Sequence, residues 1–127
     1  MSDINIRQVF DFHKSQNTIS TLTAVHPHTR WGLVKSSDNK LIEDFVEKPF
    51  LYDYVNGGFF AFKKDFFDHL TSSDDCIMEA NPFKDVVKKK QFSMFKHEGF
   101  WHSMDNYSDY MALNKIWDSG KIPWKKW

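Results

Sequence analysis

Cysteine is almost missing from this sequence: Cys76 stands alone among 127 residues. No disulfide can close within the chain, and a cysteine-rich metal site is excluded. A reducing, cytoplasmic setting is expected. Glycine is also scarce, at five residues, and only Gly57 and Gly58 are adjacent. No glycine-rich phosphate loop is therefore written into the chain. Neither sign of charge is in excess, since 17 Lys plus Arg balance 17 Asp plus Glu. A nucleic acid or an anionic membrane would call for a basic surplus, so neither is expected as a partner. No apolar run approaches the length of a membrane span, and the first residues carry no signal-peptide pattern. No internal repeat or low-complexity tract stands out.

What the chain has in quantity is aromatic: thirteen Phe, five Trp and four Tyr. Such rings bury much area per residue, so a core of large side chains is the simpler expectation and sugar-stacking faces the sharper one. The length fits one domain, residues 1–127, toward the small end of the usual range.

Ser2 and Asp3 are positioned to cap a first helix with Ile4, Ile6, Val9, Phe10 and Phe12 as its apolar positions, fading near Ser15 to Asn17. The β-branched stretch TISTLTAV (18–25) predicts a buried strand. WGLVK and KLIEDFVEK flank the polar turn SSDN and predict a β-hairpin. YVNGGFFAF (54–62) is a further strand, and KKDFFDHL a short helix with Phe66, Phe67 and Leu70 on its apolar side. A helix is expected from Glu79 to Lys90, with Pro82 in its first turn and Phe83, Val86 and Val87 facing the core. QFSMFKH alternates as a strand. A last helix runs from about Asn106 to Ser119 and is closed by Gly120. Helices and strands alternate, so the class is α/β or α+β. The hairpin argues for a mixed rather than a purely parallel sheet.

Six histidines raise the question of a metal. His26 and His28 flank a proline, and His97 and His102 lie near Asp105, but no zinc-binding spacing exists. Cys76 sits between acids, which would raise its pKa rather than activate it. Three places are better candidates for chemistry. In Glu47–Lys48–Pro49 a carboxylate can accept from two vicinal hydroxyls, a lysine can hold a phosphate, and proline ends the strand; an exposed ion pair is the plainer alternative. In Asn56–Gly57–Gly58 the glycines let a ligand lie against backbone, with asparagine as donor and acceptor; the alternative is a β-bulge. Asp105 is a lone acid ahead of a helix, and its alternative role is the N-cap.

Taken in order, SDINI, TLTAV, RWG, FVEKP, VNGGFF, HEGFWHSMD and SGKIPWKKW resemble the glucose-1-phosphate cytidylyltransferases of the sugar-phosphate nucleotidyltransferase superfamily. EKP and NGGFF belong to the wider superfamily; the GFW…MD segment and the PWK ending are more specific. The resemblance covers nearly all of the chain. It implies a Rossmann-like, GT-A-like mixed sheet with flanking helices, of which this sequence is the C-terminal, sugar-phosphate-binding part. It implies an enzyme that joins glucose 1-phosphate to CTP, giving CDP-glucose and pyrophosphate. By the same resemblance, Lys48 neutralises the sugar phosphate and Glu47 binds glucose hydroxyls. Asn56 and Gly57 line the glucose pocket, and Asp105 is a Mg²⁺ ligand.

The resemblance also implies that the family's N-terminal half lies outside this sequence. That half carries the glycine-rich loop for the triphosphate and the second metal aspartate. MEANPFKD departs from the family's acid-rich W-E-x-E-P-L-E, with Asn81 and Lys84 in place of acids. CTP is therefore expected as a partner only where the nucleotide half is supplied, and the chain alone is not expected to turn over. A sheet without its first strands keeps an open edge, so a homo-oligomer or a complementing chain is expected. The competing expectations are a non-catalytic carbohydrate-binding or assembly domain derived from that family, and a fragment with no independent role.

Overall fold

The computed structural model describes residues 1–29, 31–38 and 40–126. The chain runs α1 (Ile6–Gln16), β1 (Ser20–Val25), β2 (Leu33–Lys35), β3 (Asp44–Val46), β4 (Val55–Phe62), a 3-10 helix (Lys64–His69), α2 (Asn81–Lys88), β5 (Phe92–His97) and α3 (Tyr107–Asp118). A three-stranded sheet has the order β4-β1-β5, with β1 antiparallel to β4 and parallel to β5. β2 and β3 form a separate antiparallel pair. The mixed sheet and the hairpin expected from the sequence are both present.

The strand period of two divides the central sheet into two faces. Thr21 lies level with Ser93, and Thr23 with Phe95. That face meets α1, where Phe12 packs edge-on against Phe95 at 5.4 Å. The other face carries Phe60, Phe62 and Phe92. Phe62 stacks on Phe66 of the 3-10 helix at 4.2 Å, and Phe83 of α2 meets Phe92 at 4.8 Å. Five phenylalanines, Phe60, Phe62, Phe66, Phe83 and Phe92, thus pack together over one sheet face. α2 contributes Val86, which is fully buried, whereas Val87 points to solvent. Of the expected apolar side of the 3-10 helix, Phe66 is buried and Phe67 exposed.

The first helix starts later than its sequence suggests. Its cap is Asn5, whose side chain accepts from Arg7 N and Gln8 N at 3.0 and 3.3 Å. Ser2 serves elsewhere: it bridges to Trp101, and its hydroxyl donates to Phe100 O at 2.8 Å. A long-range backbone contact has taken the residue that local propensity offered as a cap.

Between α1 and the sheet lies a buried polar chain. His13 Nδ1 is 2.8 Å from Thr21 Oγ1, which is 2.6 Å from Ser93 Oγ, which donates to Ser20 O at 3.2 Å. His13 Nε2 is buried and has no hydrogen-bond partner among the described residues. A doubly protonated ring would therefore hold a buried charge with one N–H unpaired. Burial, aided by the Lys63 charge, accordingly holds the imidazole below its usual pKa.

The unfolded chain takes up this proton near the ordinary histidine value of about 6.5, and the folded chain only at lower pH. His13 therefore leaves stability intact above that value and erodes it as pH falls from there through its depressed folded value. Urea unfolding between pH 8 and 5 is expected to show that loss, and His13→Asn to flatten it. A slope unchanged by the substitution would assign the loss elsewhere.

Candidate functional site

β1 and β5 run parallel, and both end beside one cleft. In open α/β sheets the region beyond the carboxyl ends of parallel strands is where loops gather and ligands bind. After β1 the chain continues through Pro27, His28 and Thr29; after β5 it reaches Trp101, His102 and Ser103. Together with Lys48 and the start of α3 these residues line a cleft of about 850 Å³.

Lys48 reaches the cleft because the segment after it is tied to the extension of β1. Thr29 N donates to Pro49 O and Leu51 N to Pro27 O, both at 3.0 Å, and His28 bridges to Phe50. Lys48 itself adopts the left-handed backbone conformation, with φ of 46°. That costs a residue with a Cβ roughly 1–2 kcal/mol, and the proline that follows narrows its choices further. Strain of this kind persists where the surroundings over-determine it, and it is concentrated at sites that hold ligands. Glu47 lies beside Lys48, its Oε1 3.8 Å from Nζ, with both side chains largely exposed.

The opposite wall is equally well anchored. Trp101 Nε1 donates to Gly57 O at 2.9 Å. The Met1 ammonium donates to His102 O at 2.7 Å, and His102 N donates to Met1 O at 2.8 Å. His102 Nδ1 donates to Ser103 O at 2.5 Å, which fixes its tautomer when neutral and leaves Nε2 as the acceptor. The N-cap of α3 is Asn106, whose Oδ1 accepts from Asp109 N at 2.9 Å. Asp105, offered by its position as a cap, is not the cap. Its N–H donates to Asp109 Oδ2 at 3.1 Å, and both aspartates line the cleft.

Of the five site residues expected from the sequence, the cleft brings together Lys48 and Asp105, with Glu47 adjoining Lys48. Asn56 and Gly57 belong to β4 and are not among the residues that line the cleft; Gly57 is linked to it through its carbonyl, which accepts from Trp101. Asn56 Oδ1 accepts from Gly58 N at 2.8 Å. Leu22 pairs with Phe60 and Ala24 with Asn56, so Thr23 alone spans Gly57, Gly58 and Phe59 in a bulge. Gly58 sits there at φ of 82°. Gly57 is buried, and a Cβ on it would lie 2.9 Å from Val25 Cγ1 and 3.0 Å from Thr23 O. Close approach of two strands thus requires this glycine.

Four lining residues, His28, Trp101, His102 and Tyr107, did not stand out from the sequence as parts of a binding cleft. His28 and His102 drew notice only as metal ligands, and Trp101 only within GFW. Among the described residues no group of three or more His, Cys, Asp or Glu is placed to hold a metal ion. His97 instead contacts Asp3, at 2.9 Å. Cys76 departs from expectation as well. Thr71 N donates to its Sγ at 3.4 Å, and hydrogen bonding from Thr71 draws the thiol below its usual range against the opposing effect of desolvation. Among the described residues no helix is long and apolar enough to cross a membrane.

A mixed α/β sheet with a cleft at the ends of its parallel pair is the framework on which known proteins can be compared. The family described as nucleotidyl transferase matches residues 1–119, and the chain belongs to that family. It is 34% identical over 128 residues to the glucose-1-phosphate cytidylyltransferase of Salmonella typhi, covering all of this chain and 49% of that protein. It is 28% identical over 127 residues to a probable glucose-1-phosphate cytidylyltransferase of Bacillus subtilis (strain 168), covering 100% of this chain and 50% of the relative. With the mannose-1-phosphate guanyltransferase of Gibberella zeae it shares 29% over 116 residues, 87% of this chain and 32% of that protein. The chain spans about half the length of the cytidylyltransferases it matches.

The close approach at Gly57 makes a prediction that needs no ligand. Gly57→Ala should destabilise the fold by about 1–3 kcal/mol, the usual scale of overpacking, with Trp101 fluorescence altered because the Gly57 carbonyl moves. Equilibrium urea unfolding measures the first and emission spectra the second. A stability equal to wild type would show that the strands part without cost.

Proposed function

We propose that this chain is the sugar-phosphate-binding part of a nucleotidyltransferase with a Rossmann-like, GT-A-like fold, and that its ligand is glucose 1-phosphate. The observation that carries the reading is the convergence of Lys48 and Asp105. They lie 57 residues apart in the sequence (105 − 48) and line the same cleft. In this reading the Lys48 ammonium meets the phosphate as a point charge. Glu47, beside it, accepts hydroxyls of the hexose. Asn56 and Gly57 contribute indirectly, by setting the bulge and holding Trp101 against the cleft.

Nucleotidyl transfer needs in-line positioning of the sugar-phosphate oxygen and cations to offset the charge of the transferring group. Lys48 supplies one such cation. Mg²⁺ is bound through one or two carboxylates completed by substrate phosphate oxygens and water. Asp105, with Asp109 beside it, offers donors of that kind in the cleft, so the residues fit the ion. When bound, it neutralises phosphoryl charge. The cytidylyl donor, CTP, enters this reading through the two cytidylyltransferase relatives, and we assign its binding to a complementary nucleotide-binding half. β4 and β5 are the edge strands of the three-stranded sheet and, among the described residues, pair with no further strand. Exposed Phe59, Phe62 and Met94 lie on these strands. That surface suits association with such a half or with a second copy of the chain, in a cytoplasmic setting.

Calorimetric titration with glucose 1-phosphate and with glucose tests the reading. Glucose 1-phosphate should bind more tightly, and Lys48→Ala should weaken it by about 1.5–3 kcal/mol, the scale of a charged hydrogen bond, leaving glucose unaffected. Equal binding of the two ligands, indifferent to Lys48, would favour a non-catalytic carbohydrate-binding or assembly domain.

A further inference from the structure

His26 follows the last residue of β1, and three other segments meet on its ring. The ring lies 3.9 Å from that of Tyr54, at the entrance to β4, with 34° between their planes. On the side of the Lys48 loop it meets Phe50 at 5.3 Å. Its Nε2 is 3.8 Å from Glu98 Oε2, just past the end of β5. The same carboxylate accepts the Tyr54 hydroxyl at 2.5 Å, and Lys96 Nζ sits over the Tyr54 ring at 5.1 Å. His26 is thus where the ends of β1 and β5, the start of β4 and the loop after Lys48 are pinned together.

The remaining ring atom sharpens the point. His26 Nδ1 is buried and has no hydrogen-bond partner among the described residues. An unsatisfied buried polar atom costs free energy, so hydrogen bonding at Nδ1 does not explain the ring's place. Its aromatic contacts and its reach to Glu98 do. Phe50 is also the residue whose backbone bridges to His28. The His26–Phe50 contact therefore reinforces the ladder that fixes Pro49, and through it the left-handed Lys48. A strained residue needs such over-determination.

We propose that His26 is a positioning residue: its ring, tilted against Tyr54 and packed on Phe50, holds the Lys48 loop so that the ammonium stays at the cleft. The inference rests on the reading of Lys48 as the cation for the sugar phosphate. It adds a residue that does not line the cleft and acts on the phosphate only through Lys48. Alanine at position 26 removes both the ring contacts and the Glu98 contact. Phenylalanine keeps the ring contacts. Glutamine keeps a donor for Glu98 without a ring.

The test is a double-mutant cycle on the full chain, read as calorimetric affinities for glucose 1-phosphate and for glucose. His26→Ala should weaken glucose 1-phosphate binding by about fivefold, a size ordinary for coupled neighbours, with glucose affinity unchanged. His26→Phe should restore most of the loss. In a Lys48→Ala background His26→Ala should add nothing. Thermal melts confirm that each variant folds; if His26→Ala does not, His26→Gln takes its place in the cycle. An unchanged glucose 1-phosphate affinity in His26→Ala, where Lys48→Ala does lower it, overturns the inference alone. So does an undiminished His26 effect in the Lys48→Ala background, or an equal loss for both ligands, since either marks a purely structural role. If Lys48→Ala itself leaves the preference for glucose 1-phosphate intact, the reading of Lys48 falls and the inference falls with it.

Discussion

The rest of the molecule depends on one constraint: β1 is hydrogen-bonded on both sides and packed on both faces. Ser20, Thr21, Thr23, Ala24 and Val25 are all buried, and β1 alone joins β4 to β5. A strand in that position cannot slip by one residue without exchanging its two faces. Its register therefore sets where every neighbour ends. The polar chain through His13, Thr21 and Ser93 fixes β1 against α1 and β5. Gly57 fixes it against β4, since only a residue without a Cβ fits beside Val25 and Thr23. A small sheet so determined gives the loops at its end a rigid base.

The cleft follows from this. The continuation of β1 forms a short ladder with residues 49–51, so Lys48 is presented by backbone hydrogen bonds rather than by its own long side chain. The continuation of β5 is held by the first residues of the chain and by the Trp101–Gly57 bond. The loop after β1, with the Lys48 segment tied to it, and the loop after β5, which leads to the aspartates at the start of α3, thus line one cleft. The strain at Lys48 is a local cost offset by the packing of His26, Phe50 and Tyr54.

Much of this was legible in the sequence, and the misses have physical reasons. The strands were readable because β-branched and aromatic runs are bounded by turn residues; Lys48 and Asp105, singled out through the family resemblance, lie along one cleft. The first helix cap was misplaced because Ser2 is taken by Trp101, a partner 99 residues away (101 − 2) that no local pattern reveals. Val87 was expected inside because it follows Val86, yet helical geometry turns adjacent residues to different sides. Asn56 stands at a bulge, the plainer alternative for its motif, where its side-chain oxygen accepts from Gly58 N. Cys76 was judged from charge alone, and one backbone N–H at its sulfur reverses the direction. His26, Trp101 and His102 were not read as parts of a binding cleft because an aromatic gains a role in a site only from what the fold brings beside it.

Family membership and the half-length match to the cytidylyltransferases agree with a chain whose cleft has one cationic wall and one acidic wall. The central claim is that a phosphorylated hexose occupies this cleft. An amide-resolved NMR titration with glucose 1-phosphate tests it most directly. The account predicts that shifts gather at residues 27–29, Lys48, 101–103 and 105–109, including the Trp101 indole. Shifts confined to the α2 face, or to the small groove between Trp117 and Trp124, would contradict it.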